Sequence, residues 1–165
     1  MILIPELFPS IQWFIMAQKQ GKNNLIKQFS APNNKYTNKY IIAGPNQLQT
    51  LTIPLISSSK SDYFPQIQID YSQKWIREHK NALQTAYGKS PFFEYYELEL
   101  QRLFTIKYDR LIDFNKASID FVMQSLRIKK EIQQLGDNTI EVNKEAIDWR
   151  VEQQRDFAQK PYYQL

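Results

Sequence analysis

Proline is the residue that most restricts how this 165-residue chain can fold. Seven of its eight prolines lie within the first 91 residues, and the eighth follows at position 161. Because proline lacks a backbone N–H and its ring clashes with the preceding helical turn, it ends or kinks a helix. The first half of the chain is therefore predicted to form short elements, and the second half has room for long helices.

Apolar runs between these prolines predict β-strands. Residues 51–53 and 67–69 alternate apolar and polar side chains, which is typical of strands with one buried face. The sequence predicts strands over residues 1–4, 25–29, 40–43, 48–55 and 66–71, a helix over 10–20, and a late strand over 139–142.

After residue 71 the apolar pattern takes a helical period. Ser72 is predicted to cap a helix that ends at Gly88 and places Trp75, His79 and Leu83 on one face. Pro91 predicts the start of the next helix. The two following apolar stripes comprise Phe92, Phe93, Tyr96, Leu100, Leu103 and Phe104, and then Leu111, Ile112, Ile119, Val122 and Leu126.

Strands early and helices late predict a single α+β domain over residues 1–165. Its N-terminal half is expected to consist mainly of short β-strands with one helix. Its C-terminal half is expected to consist mainly of α-helices packed on the sheet.

The amino-acid composition excludes several kinds of catalytic and metal-binding site. The chain has no cysteine, one histidine and four glycines, and it contains no glycine-rich phosphate loop. Thiolate nucleophiles and cysteine-ligated zinc are excluded, and neither a metal nor a cofactor is predicted. The mean hydropathy of −0.54 predicts no membrane span, and the absence of a basic, apolar leader makes the cytoplasm the expected location.

Positive charge is concentrated in the first sixty residues, which hold six lysines and one acid, Glu6. These lysines are spread along the sequence and form no arginine-rich run, which argues against nucleic acid as a partner. Either a solvated basic face or a small anionic ligand explains the pattern. The polar segment 33–40 is where such an anion would bind, unless it is a mobile connection.

His79 is the side chain best suited to proton transfer near neutral pH, because it is the chain's single imidazole. Its place on the Trp75 and Leu83 face also fits a half-buried histidine bonded to a carbonyl or a carboxylate. The aromatic residues between positions 87 and 108 raise a similar choice. Their helical spacing favours core packing over stacking on a base or a sugar ring.

Several strings of the sequence resemble the WbqC-like family of bacterial proteins. They are ELFPSIQW at residues 6–13, YTNK at 36–39, LTIPL at 51–55, WIREH at 75–79, YGKSPFFEYY at 87–96 and LIDFN at 111–115. The resemblance is strongest over residues 1–128, with a fainter echo near residue 161, and the chain ends sooner than the family pattern does.

The resemblance implies a cytoplasmic protein of surface-polysaccharide (O-antigen type) synthesis that transfers an aminoacyl or acyl group to an amino sugar or a sugar nucleotide. In that reaction His79 would be the base, Asn38 and Lys39 would donate hydrogen bonds to an oxyanion, and Tyr87 would be a secondary proton group. The matching positions also imply a ligand-binding role for Lys39, Trp75, Gln12 and Tyr36. The oligomeric state is left open.

Two departures from the family pattern support a competing hypothesis. The Glu-x-Tyr-x-Lys-Gln stretch of the family has no counterpart over residues 29–34, and Lys39 stands where arginine is usual. Lysine lacks the planar fork with which arginine holds a carboxylate or a phosphate. The alternative is a non-catalytic binding or partner protein on the same scaffold, which predicts a buried His79 with no cleft beside Asn38 and Lys39.

Overall fold

Two small sheets and four helices make up the part of the chain that the computed structural model describes, namely residues 2–3, 5–19, 25–26, 38–44, 46–57, 66–129 and 133–134. The predicted strand at 139–142 and the candidate residue Tyr36 lie outside these ranges. Four of the five strands described lie before residue 53, and three of the four helices described lie after residue 74, which confirms the α+β prediction.

Each sheet has its own strand direction. Strands β1 (Ile2–Leu3), β2 (Leu25–Ile26) and β5 (Gln133–Gln134) pair in parallel in that order. Strands β3 (Lys39–Ala43) and β4 (Leu48–Thr52) form an antiparallel hairpin. Its register pairs Lys39 with Thr52 at the open end and Ala43 with Leu48 at the turn.

The helices are α1 (Ile11–Lys19), α2 (Trp75–Tyr87), α3 (Phe93–Thr105) and α4 (Leu111–Ser125). Helix α2 ends where the sequence predicts, since Gly88 occupies its C-cap. Helices α2 and α3 contact each other, α3 also contacts α4, and α2 contacts the hairpin strand β3. The hairpin and these three helices therefore surround a common interior.

That interior is the main hydrophobic core. It takes buried side chains from the hairpin, from α2, α3 and α4, and from the segment after the hairpin, among them Ile42, Ile53, Trp75, Phe104, Leu111 and Phe114. A second cluster joins α1 to α4 through Trp13, Phe14, Ile119 and Met123. Trp75, His79 and Leu83 are all buried on one face of α2, as their spacing predicts.

Two local predictions are wrong. Ser72 does not cap α2, because the N-cap position is Lys74 and carries no side-chain cap; the Ser72 N–H instead donates to the Asp70 carboxylate at 2.8 Å. Residues 66–71 do not form a continuous strand. Gln68 bridges to Arg110 and Ile69 to Leu55, so this segment divides its pairing between two neighbours.

The predicted apolar stripe of α3 is buried at one end of the helix. Leu103 and Phe104 lie in the core, as expected, but Phe92 is 68% exposed and Tyr96 is 42% exposed. In the last stripe Leu126 is also exposed. Helical spacing identifies which side chains share a face, but it cannot show how far along the helix the neighbouring elements cover that face.

Candidate functional site

His79 faces the hairpin from α2 and uses both ring nitrogens inside the protein. Its Nε2 lies 3.2 Å from the Thr52 carbonyl oxygen, and its Nδ1 lies 3.1 Å from the Tyr40 hydroxyl. A carbonyl oxygen can only accept a hydrogen bond, so Nε2 carries the proton and Nδ1 accepts from the Tyr40 hydroxyl. The contacts thus define one neutral tautomer.

The surroundings of this pair keep it uncharged. His79 is 3% exposed, and burial lowers the pKa of its imidazole to about 4, although the hydrogen bond to Thr52 acts in the opposite direction. Trp75, Tyr40 and Phe104 all present rings close to the imidazole. Burial, and secondarily Tyr87, raises the pKa of the Tyr40 hydroxyl far above its usual value. At neutral pH neither group is an accessible acid or base.

Asn38 and Lys39 lie at the same end of the hairpin as this pair. The Asn38 side-chain amide donates to the Ile53 carbonyl at 2.9 Å, and the Ile53 N–H donates back to the Asn38 carbonyl at 2.8 Å. Lys39 is exposed and pairs with Thr52, whose carbonyl binds His79. Along β3 the exposed Lys39 alternates with the buried Tyr40, so the Lys39 side chain lies on the opposite face of the hairpin from His79. The Asn38 amide is engaged in holding the hairpin.

The other predicted positions are dispersed. The Trp75 indole is buried and donates to the Asp70 carbonyl at 3.1 Å. Tyr87 lies at the opposite end of α2, where its hydroxyl accepts the Ala43 N–H at 3.0 Å. Gln12 is half-buried on α1, the helix that packs on the second cluster. Tyr36 is outside the described residues.

A pocket of about 410 Å³ lies between β3, α2, α3 and α4. We call it the apolar pocket, and its walls include Phe8, Tyr40, Tyr87, Phe93, Tyr96 and Phe121. No charged residue occurs among the described side chains that line it. Its volume is within the usual range for small-molecule sites, which are concave and mostly apolar with a few polar groups.

Tyr40 connects the apolar pocket to the buried histidine. Its ring lines the pocket, while its hydroxyl donates to the His79 imidazole on the other side. His79, Asn38 and Lys39 do not line the pocket, whereas Tyr87 does. Sequence reasoning missed Tyr40 and Phe121 as pocket residues, and no local pattern marks them. Tyr96 belongs to the aromatic stretch 87–108, whose helical spacing favoured core packing.

Phe8 lines the apolar pocket and has a strained backbone conformation. Its φ of 42° lies in the left-handed region, which a bulky residue rarely adopts. Its N–H donates to the Ser118 Oγ at 3.1 Å, and its ring centroid lies 4.8 Å from that of Tyr40. Strain of this kind costs on the order of 1–3 kcal/mol and is concentrated at binding sites and active sites. The backbone strain therefore marks the same pocket as the aromatic lining.

Two absences hold for the described ranges. No group of three or more His, Asp or Glu side chains there is placed to hold a metal ion. None of the helices described is both long enough and apolar enough to cross a membrane. The chemistry that this arrangement offers is the binding of an uncharged, apolar group beside phenol hydroxyls.

The hairpin, the three helices and the pocket between them define an α+β protein with an aromatic pocket next to a buried Tyr–His pair. The model of the WbqC-like protein family matches residues 5–165, and the chain therefore belongs to this family. No curated protein and no solved structure matches the chain.

Proposed function

We propose that this WbqC-like protein is a binding protein that holds an uncharged, apolar group of a small molecule in the apolar pocket. The observation that carries the proposal is the pocket itself, with its aromatic walls and its lack of charged side chains among the described residues. The buried, neutral His79 supports it, because a base must reach the proton that it removes.

The same geometry limits which part of a ligand enters. A diphosphate needs cations or several N–H donors, and the described pocket walls supply no cation. If the ligand is the sugar nucleotide that the resemblance implies, its apolar portion enters and its phosphates stay outside. The Tyr87 hydroxyl accepts the Ala43 N–H, so its own proton is available for an acceptor on the ligand.

Acyl transfer in polysaccharide synthesis remains a prediction from the family resemblance. On this structure it would need a proton acceptor other than the His79 ring, whose nitrogens bind Thr52 and Tyr40. The pocket hydroxyl of Tyr87 would act as a hydrogen-bond donor to a developing oxyanion in such a reaction. Binding is therefore the function that the geometry supports best.

Leu126 and Leu98 provide a matched pair of variants, because both are 59% exposed but only Leu126 is among the residues that line the pocket. The probe is N-phenyl-1-naphthylamine, a neutral fluorophore that brightens in apolar sites. We expect Leu126→Lys to weaken its binding about tenfold, since placing a charge at the rim costs roughly 1.4 kcal/mol of apolar contact. Leu98→Lys should bind the probe like the unmodified protein.

Equal losses in the two variants would show adsorption to exposed surface and would contradict the proposal, as would no binding at all. Competition by uridine diphosphate N-acetylglucosamine then tests the ligand class. Displacement by this compound, and none by uridine diphosphate, would support entry of the uncharged sugar with its N-acetyl methyl and C–H face against the aromatic walls. Displacement by both would mean that the nucleotide itself is recognised, contrary to the proposal.

A further inference from the structure

A second concavity, of about 290 Å³, lies between α2 and α3 and differs in character from the apolar pocket. We call it the polar cleft. Helix α2 contributes Lys80, Asn81 and Gln84 to its walls, and α3 contributes Glu97 and Gln101. Leu83, Phe93 and Leu100 line both cavities and form the partition between them.

The polar cleft presents one cation and one anion from opposite helices. The Lys80 ammonium donates to the Thr105 Oγ1 over a long 3.4 Å, and the Glu97 carboxylate accepts from the Gln101 amide at 2.9 Å. Within the described part of the chain, the ion pairs are Arg102–Glu99 and Arg110–Asp113. Lys80 and Glu97 thus face one cleft without an ion pair joining them.

This charge arrangement selects among ligands. A simple anion would be attracted by Lys80 but repelled by Glu97, and a simple cation would meet the reverse. A molecule with both charges satisfies each wall, with its carboxylate towards Lys80 and its ammonium towards Glu97. The amides of Asn81, Gln84 and Gln101 supply further donors and acceptors along the same walls.

The floor of the polar cleft determines what kind of side chain the ligand carries. It consists of the apolar side chains Leu83, Phe93, Leu100 and Phe104. An apolar substituent placed there is removed from water, which favours binding. We infer that the polar cleft binds a free α-amino acid with an apolar side chain, in its zwitterionic form. The site is separate from the apolar pocket, and the inference does not depend on the proposed function.

Isothermal titration with L-leucine tests the ligand chemistry. L-Leucinamide keeps the ammonium and lacks the carboxylate, whereas 4-methylpentanoate keeps the carboxylate and lacks the ammonium. We expect each to bind at least tenfold more weakly than L-leucine, and glycine to bind more weakly because it lacks the apolar side chain. Absence of L-leucine binding, or equal binding of either single-charge analogue, would overturn the inference.

Two substitutions test the location. Glu97→Gln and Lys80→Met each remove one charge from the cleft and should weaken L-leucine binding about tenfold. The matched controls Glu94→Gln and Lys89→Met change exposed charges outside the cleft and should leave the affinity unchanged. Unchanged binding in both cleft variants, or equal losses in the controls, would overturn the assignment. All four positions are on the surface or half-buried, so folding is checked by an unaltered thermal midpoint.

Discussion

The Tyr40 hydroxyl and the His79 imidazole satisfy each other in a part of the core that is otherwise made of apolar side chains. Two buried polar groups of this kind stabilise the fold only while both partners are present, because an unpaired buried acceptor loses its hydrogen bond to water without replacement. The pair therefore has a structural role that a single substitution can measure.

Tyr40→Phe removes the hydroxyl and leaves His79 Nδ1 without its donor. We expect the free energy of unfolding to fall by about 1–3 kcal/mol, measured by urea denaturation at pH 7. Tyr95→Phe makes the same chemical change on a side chain that is 77% exposed, and it should shift stability by less than about 0.5 kcal/mol. Similar effects of the two substitutions would contradict the role of the pair.

At the residue scale, the sequence predicts faces better than partners. The spacing of Trp75, His79 and Leu83 is sufficient to predict their burial on one face of α2. It does not predict Tyr40 as the partner of His79, because the two lie 39 positions apart and no local pattern shows which strand a helix faces. The candidate base and its burial therefore came from the sequence, whereas its bond to Tyr40 and its neutral state required the tertiary structure.

At the scale of elements, the segment 5–8 is fastened to α4 by hydrogen bonds. The Asn115 side-chain amide donates to the Pro5 carbonyl at 2.8 Å, and Ser118 Oγ accepts the Phe8 N–H while donating to the Asn115 carbonyl. Asn115 and Ser118 are fully buried on the helix. These contacts hold Phe8 in its strained conformation at the wall of the apolar pocket.

Ser118→Ala should release this fastening. The Phe8 N–H would lose its acceptor, and we expect a loss of about 1–3 kcal/mol in unfolding free energy together with weaker binding of N-phenyl-1-naphthylamine. Ser125→Ala is the comparison for stability, since the Ser125 hydroxyl bonds within its own helix to the Phe121 carbonyl. It should change stability by less than about 0.5 kcal/mol. A stable Ser118→Ala protein would show that the strain at Phe8 is held by other contacts.

Secondary structure that is set by local sequence signals agrees closely with the prediction. Secondary structure that depends on contacts with other elements of the fold does not. Leu51 and Ile53 are buried on either side of the exposed Thr52, as alternation predicts, and α2 ends at Gly88, as helix-ending chemistry predicts. Strand β4 itself ends at Thr52, short of the predicted residue 55. Residues 66–71 have the alternation of a strand but find two different partners, so only isolated bridges form. The start of the α3 stripe likewise has the spacing of a buried face, yet Phe92 and Tyr96 are exposed.

For the whole molecule, His79 links stability to pH. In the unfolded chain its pKa is near 6.5, and in the native state it is about 4. Between these values the unfolded state binds more protons than the native state does, so the free energy of unfolding decreases as the pH falls from about 6.5 towards 4. Above this window the contribution of His79 to stability is fully present. At 1.36 kcal/mol per pKa unit the loss is about 3 kcal/mol.

Urea unfolding at pH 7 and at pH 4.5 measures this pH dependence of stability in the unmodified protein and in the His79→Gln variant. Glutamine can accept from Tyr40 and donate to Thr52, but it does not titrate. We expect the native protein to lose more stability between the two pH values than the variant does. Parallel losses would assign the acid sensitivity to the carboxylates, which are the same in both proteins.

The hydrogen bond between Phe8 and Ser118 also determines when, during translation, the wall of the apolar pocket can form. The two residues are 110 positions apart in sequence. At about 5–20 residues per second, roughly 5–20 s separate their addition to the growing chain. Throughout that interval the segment 5–8 has been made and its anchor on α4 has not. The wall that Phe8 gives to the apolar pocket is therefore completed only after translation has passed residue 118, and a nascent chain arrested earlier lacks it.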